Sequence, residues 1–149
     1  VLWLPLEPVT KDNGIAFVKG SHLWDKLFMR VRFGDGHPSD APQVVAGQTY
    51  HTPPDVNADP DAYTLLQWDL DLGDCIFFDM RTLHGGLSSV TPTQTVRRCT
   101  LRMTAPDGRI RYRGDWAKDE RAMFEAAGYG EGDTLTGAFF PQLWPRNAA

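Results

Sequence analysis

Apolar residues in this chain come in short bursts. "VLWLPL", "IAFVKG", "YTLLQWDL", "CIFFDM" and "VRRCTLRM" each span six to eight residues. Turn-forming stretches rich in Gly, Pro, Asp and Asn separate them, such as "EPVTKDNG" and "DLGD". Runs of this length suit strands and are too short for helices. One segment differs: "WAKDERAMFEAAG" (116–128) has helical spacing and ends on Gly128, a residue type that closes helices. Residues 23–33, "LWDKLFMRVRF", fit either a short helix or a strand. "RIRYRG" reads as an edge strand, and "FFPQLWP" as an aromatic tail packed back on the core. Many short strands and one helix near the C-terminus define a mainly β chain, an antiparallel sandwich or barrel.

The chain has 149 residues, which suits one domain over 1–149. Residues 34–62 are rich in Pro, Asp and Gly around a brief "QVVAGQTY". A loop that long is expected to be a lid or insert. The net charge of −4 carries no nucleic-acid footprint. No apolar run is long enough to span a membrane, and no signal peptide is read. The two cysteines, Cys75 and Cys99, sit in apolar strand-like runs. They read as buried free thiols of a reducing compartment, hence a cytoplasmic location. Cys75, Phe77, Cys99 and Leu101 are expected in the core. The chain opens without Met and already inside a strand-like run, so it is expected to be a fragment.

The residue that raises a chemical question is His84, at the end of "CIFFDMRTL" and followed by two glycines. A non-haem iron site uses two histidines and a carboxylate on one face of the metal. Two of these ligands normally come from a His-x-Asp or His-x-Glu strand end. This sequence has no such pair, because His22 and His37 each precede an Asp by three residues. On spacing alone His84 reads as a hydrogen-bonded turn residue. Beyond it, "VRRCTLR" puts Arg97, Cys99 and Leu101 on one face of a strand and Arg98, Thr100 and Arg102 on the other. An arginine among apolar residues can anchor a buried carboxylate. Both arginines can equally be solvated strand residues.

Taken together, "VLWLPLEPVTKDNGIAFVKGSHLWDKLF", "LLQWDLDLGDCIFFDMRTLHGG" and "VRRCTLRM" resemble the phytanoyl-CoA dioxygenase family over roughly residues 1–104. The resemblance implies a double-stranded β-helix, the jelly-roll or cupin-like fold, incomplete at its N-terminal side. It implies Fe(II) as metal and 2-oxoglutarate as cosubstrate in the full-length parent, with hydroxylation of an unidentified small molecule. His84 matches the family's distal metal ligand, while the His-x-Asp ligands lie upstream of Val1. Arg97 matches the arginine that holds the far carboxylate of 2-oxoglutarate, with Arg98 as the alternative. Trp3 matches a tryptophan lining the cosubstrate pocket. Gly86 falls where some members carry a serine that touches 2-oxoglutarate. Gly20, Ser21 and His22 match a turn motif taken as structural. The rival readings are a halogenase relative and a non-catalytic jelly-roll module that binds a ligand or partner. A jelly-roll cut through one sheet is also expected to self-associate through its exposed strand edges.

Overall fold

A computed structural model describes residues 1–29, 43–45, 47–86, 97–112 and 118–145. Among them the chain is mainly β, with three small sheets and one α-helix near the C-terminus. It divides into two compact units, Val1–Val44 with Thr49–Met103, and Val45–Gln48 with Thr104–Ala149.

In the first unit, β1 (Leu2–Pro5) lies between β7 (Ile76–Phe77) and β9 (Arg98–Leu101), and both pairings are antiparallel. β2 (Ala16–Val18) lies between β6 (Leu65–Leu66) and β8 (His84–Gly85), again antiparallel. All three residues of β2 are buried, as a central strand covered on both faces requires. The third sheet has the order β3 (Leu27–Phe28), β5 (Gln48–His51), β4 (Gln43–Val45), and its β3–β5 pair is parallel. The ambiguous 23–33 segment thus supplies a two-residue strand after a 3-10 turn at Ser21–Leu23, and residues 30–33 lie outside the described residues. The 34–62 segment is described over 43–45 and 47–62, where it carries β4, β5 and a 3-10 turn at Pro60–Ala62.

The core of this unit is Trp3, Val9, Ala16, Phe17, Val18, Met29 and Tyr50. It does not contain the four residues the sequence put there. Phe77 is 72% exposed and Leu101 49%. Cys75 is exposed and Cys99 half-buried, and both thiols are free. The register gives the reason. Leu2 stands opposite Phe77 and Leu101, and Leu4 opposite Cys99, while the buried Trp3 stands opposite Ile76 and Thr100. Residues directly opposite share a face, so the expected core residues line the outer side of the sheet. The 75–78 run is apolar on both faces and the 97–102 run has an arginine on each, so composition could not say which face is covered.

In the second unit α1 (Lys118–Ala126) ends at Gly128, whose φ of 85° is left-handed. The Tyr129 N–H returns to the Phe124 carbonyl at 2.9 Å. Phe124 and Tyr129 each pack on both Phe139 and Phe140, so the start of the aromatic tail does fold back within this unit. Arg109 forms an isolated antiparallel bridge with Thr134, less than the edge strand expected there.

Candidate functional site

His84 is placed by β8, where it stands directly opposite Phe17 of β2. Its imidazole stacks on the Phe17 ring at 5.9 Å and meets the Phe78 ring edge-on at 4.8 Å. Phe17 and Phe78 contact each other at 4.8 Å, and Trp68 adds a further ring at 6.1 Å from Phe17. The imidazole therefore rests on an apolar floor, with its outer side exposed.

Its polar contact fixes the ring chemically. Nδ1 lies 2.6 Å from the Thr82 carbonyl oxygen. A carbonyl only accepts, so in the neutral ring Nδ1 holds the proton and Nε2 keeps its lone pair. Metal-bound imidazoles are arranged in this way, one nitrogen donating to an acceptor and the other facing the ion. Asp79 builds the turn that presents Thr82. It accepts from the Arg81 backbone at 2.8 Å and from the Arg81 guanidinium at 3.1 and 3.2 Å. Those guanidinium bonds hold its carboxyl well down, at about 2. The Thr82 N–H closes the turn on the Asp79 carbonyl at 2.9 Å.

Trp3 and Arg98 come together on the other sheet. Arg98 stands two residues along β9 from Thr100, so both share the face of the buried Trp3. Its guanidinium sits over the Trp3 ring at 5.6 Å and donates to the Asn13 carbonyl at 2.7 Å. Arg97 points to the opposite side, contrary to the inward orientation expected for it. Its backbone N–H and Nε donate to the two oxygens of Glu7 at 2.6 and 2.7 Å, and its side chain is 72% exposed. The Arg97 N–H, and then its guanidinium, hold the Glu7 carboxyl below its usual value. The phase of β9 decides this: pairing puts Pro5 opposite Arg98, so Arg98 and Thr100, both exposed, are the pair on the Trp3 face.

Phe78 links the two sheets. Its N–H extends the β7 ladder by donating to the Val1 carbonyl at 2.9 Å. Alternation then puts its side chain on the face of Ile76 and Trp3, while its ring reaches Phe17 and His84. The sequence offered only an unbroken aromatic pair, Phe77 and Phe78, with nothing to tell which member turns inward. Glu7 and Asn13, which hold the two arginines, carry no signal in the sequence beyond that of loop residues.

A cavity of about 710 Å³ opens elsewhere in this unit, lined by Trp24, Phe28, His51 and Tyr63 with Asp25 and Asp55 among others. His84, Trp3, Arg97 and Arg98 are not among its lining residues. His22 lies in the 3-10 turn near enough to Asp79 to favour its charged form. His37 and the loop from 87 to 96 lie outside the described residues. Gly86 is exposed, and a Cβ there would meet nothing within 4 Å among the described residues.

Among the described residues no three His, Cys, Asp or Glu side chains gather as a metal site. His84 fits as one ligand, through Nε2, and the described residues do not complete a centre around it. No helix among them is long and apolar enough to cross a membrane.

An imidazole held in this way has the chemistry of one histidine ligand of a non-haem iron site. The chain belongs to the phytanoyl-CoA dioxygenase family, whose model matches residues 1–99. At family level these are Fe(II)- and 2-oxoglutarate-dependent oxygenases. No curated protein and no solved structure matches the chain.

Proposed function

We propose that this chain carries the distal metal ligand and the cosubstrate anchor of an Fe(II)- and 2-oxoglutarate-dependent oxygenase that hydroxylates a small molecule. The fold we assign is a double-stranded β-helix. The observation that carries the reading is the His84 ring, held at Nδ1 and with no hydrogen bond at Nε2 among the described residues, in a chain that matches the family over residues 1–99. His84 supplies one metal ligand, and the others come from outside the described residues. Arg98, held beside Trp3, takes the far carboxylate of 2-oxoglutarate; Arg97, tied to Glu7, is the alternative. Iron and 2-oxoglutarate together supply the oxidising power that puts one atom of O2 into a C–H bond. The apolar floor of Phe17 and Phe78 keeps water from one side of the metal-facing imidazole.

The 149-residue chain is expected to bind Fe(II) weakly, because a single imidazole lacks the cooperation of a three-ligand site. Calorimetry checks this. Tight stoichiometric binding that His84→Ala abolishes would mean that a complete site exists in this chain. In the protein with its complete ligand set, hydroxylation coupled to 2-oxoglutarate decarboxylation supports the proposal. Halogenation instead favours the halogenase reading, and absence of both favours a binding module.

We also propose self-association. β7 and β9 end their three-stranded sheet, and its outer side exposes Phe77 and Leu101. Such edges and faces pair readily with another chain. Light scattering is expected to show a mass that rises with concentration, reduced in the double variant Phe77→Ser, Leu101→Ser. A monomer at every concentration would sink this part.

A further inference from the structure

The register of β2 and β8 sets Ala16 opposite Gly85 and Phe17 opposite His84. One step further, Val18 stands opposite Leu83. In a regular antiparallel ladder such a pair exchanges two direct bonds. One is present: the Val18 N–H donates to the Leu83 carbonyl at 2.9 Å. The other is replaced by a side chain. The Leu83 N–H donates to Ser21 Oγ at 2.8 Å, and Ser21 Oγ donates on to the Val18 carbonyl at 2.8 Å. The three bonds form a closed ring through Val18, Leu83 and Ser21. Ser21 is 2% exposed, so water does not compete for these bonds. Gly20, with a left-handed φ of 76°, turns the chain so that the hydroxyl can enter the ladder.

A hydroxyl between a carbonyl and an N–H takes more room than a direct bond. It therefore holds β8 away from β2 on one side, at the residue just before His84. Thr82, whose carbonyl fixes Nδ1, lies on the other side of Leu83. From this we infer that Ser21 is a positioning residue: its hydroxyl sets the separation of β8 from β2 and thereby the seat of the His84 ring between Phe17, Phe78 and the Thr82 carbonyl. Without the hydroxyl the Leu83 N–H and the Val18 carbonyl lose their bridge, and β8 is no longer held at this separation from β2. His84 then shifts against Phe17, and the Thr82 bond to Nδ1 is lost. The inference gives the proposed metal ligand its placement and so rests on that reading for its meaning, but its test contains no metal.

The experiment uses the full chain with ¹⁵N-labelled histidine, the His84 signal being assigned from the His84→Ala variant. In the unaltered chain His84 is expected mainly as the Nδ1–H tautomer at neutral pH. In Ser21→Ala the Nε2–H tautomer should become the major form. The Leu83 amide should exchange about tenfold faster, the scale of one lost hydrogen bond. Ser21→Thr, which keeps the hydroxyl, should restore both. A Ser21→Ala chain that is less stable yet keeps the His84 tautomer and its ring contacts would overturn the inference and leave Ser21 a packing residue. Should Ser21→Ala not fold, a folded Ser21→Thr chain decides. Protection of Leu83 with the Nδ1–H tautomer supports the inference, and a displaced ring overturns it. Failure of the oxygenase reading would change none of these signals, so the two are separable.

Discussion

Arg98→Ala is expected to weaken 2-oxoglutarate binding by about 2 kcal/mol in the protein with its complete metal site, the low end of the range for removing one side of a charge pair because Arg98 is exposed. Fe(II) binding should change far less, because the guanidinium serves the cosubstrate's far carboxylate and not the metal. The expectation follows from the face of β9. Both arginines are exposed, but Arg98 lies over the buried Trp3 ring, while Arg97 is engaged by Glu7 on the other face. Arg97→Ala should therefore leave the cosubstrate largely unaffected, since exposed ion pairs contribute little. Calorimetric titration of 2-oxoglutarate into both variants checks this. Loss in Arg97→Ala alone would return the anchor to the outer arginine, and loss in neither would remove the cosubstrate assignment.

Phe17→Ala is expected to destabilise the first unit by about 3–5 kcal/mol, the usual cost of emptying a buried aromatic position. Phe17 is 4% exposed and touches the rings of Phe78, Trp68 and His84. Removing it leaves a cavity in the middle of β2 and withdraws the floor under the imidazole. Phe77→Ala is the matched control. With Phe77 72% exposed, it should shift stability by no more than about 0.5 kcal/mol. Urea unfolding followed by tryptophan fluorescence measures both. Equal costs would mean that the assignment of inner and outer faces is wrong.

The two phenylalanines show where the sequence was legible. Short apolar bursts between turn residues marked where strands would be, and β1, β2, β6, β7 and β9 fall inside them. The 3.6-residue spacing and Gly128 marked the helix, observed at Lys118–Ala126. What could not be read was phase. "CIFF" is apolar on both faces and "VRRCTL" has an arginine on each, so the inner set depends on the partner strand. Leu2 opposite Phe77 and Pro5 opposite Arg98 settle that phase. The site divides the same way. His84 stood out by its isolation and Trp3 by resemblance. The choice between Arg97 and Arg98, the hold of Thr82 on Nδ1 and the bridging hydroxyl of Ser21 are consequences of pairing across 60 residues or more, or of a turn's exact course.

Gly85 and Gly86 leave a blank beside the imidazole. Neither has a positive φ, and a Cβ at either would meet nothing within 4 Å among the described residues. Among the described residues, packing and backbone strain therefore place little demand on what occupies position 86. Such a position is evolvable: its side chain can vary with little risk to the fold, and variation there is exposed to selection on chemistry alone. A library at Gly86, with serine as its first member, would explore the surroundings of His84 while the core of Trp3, Phe17 and Tyr50 stays unaltered.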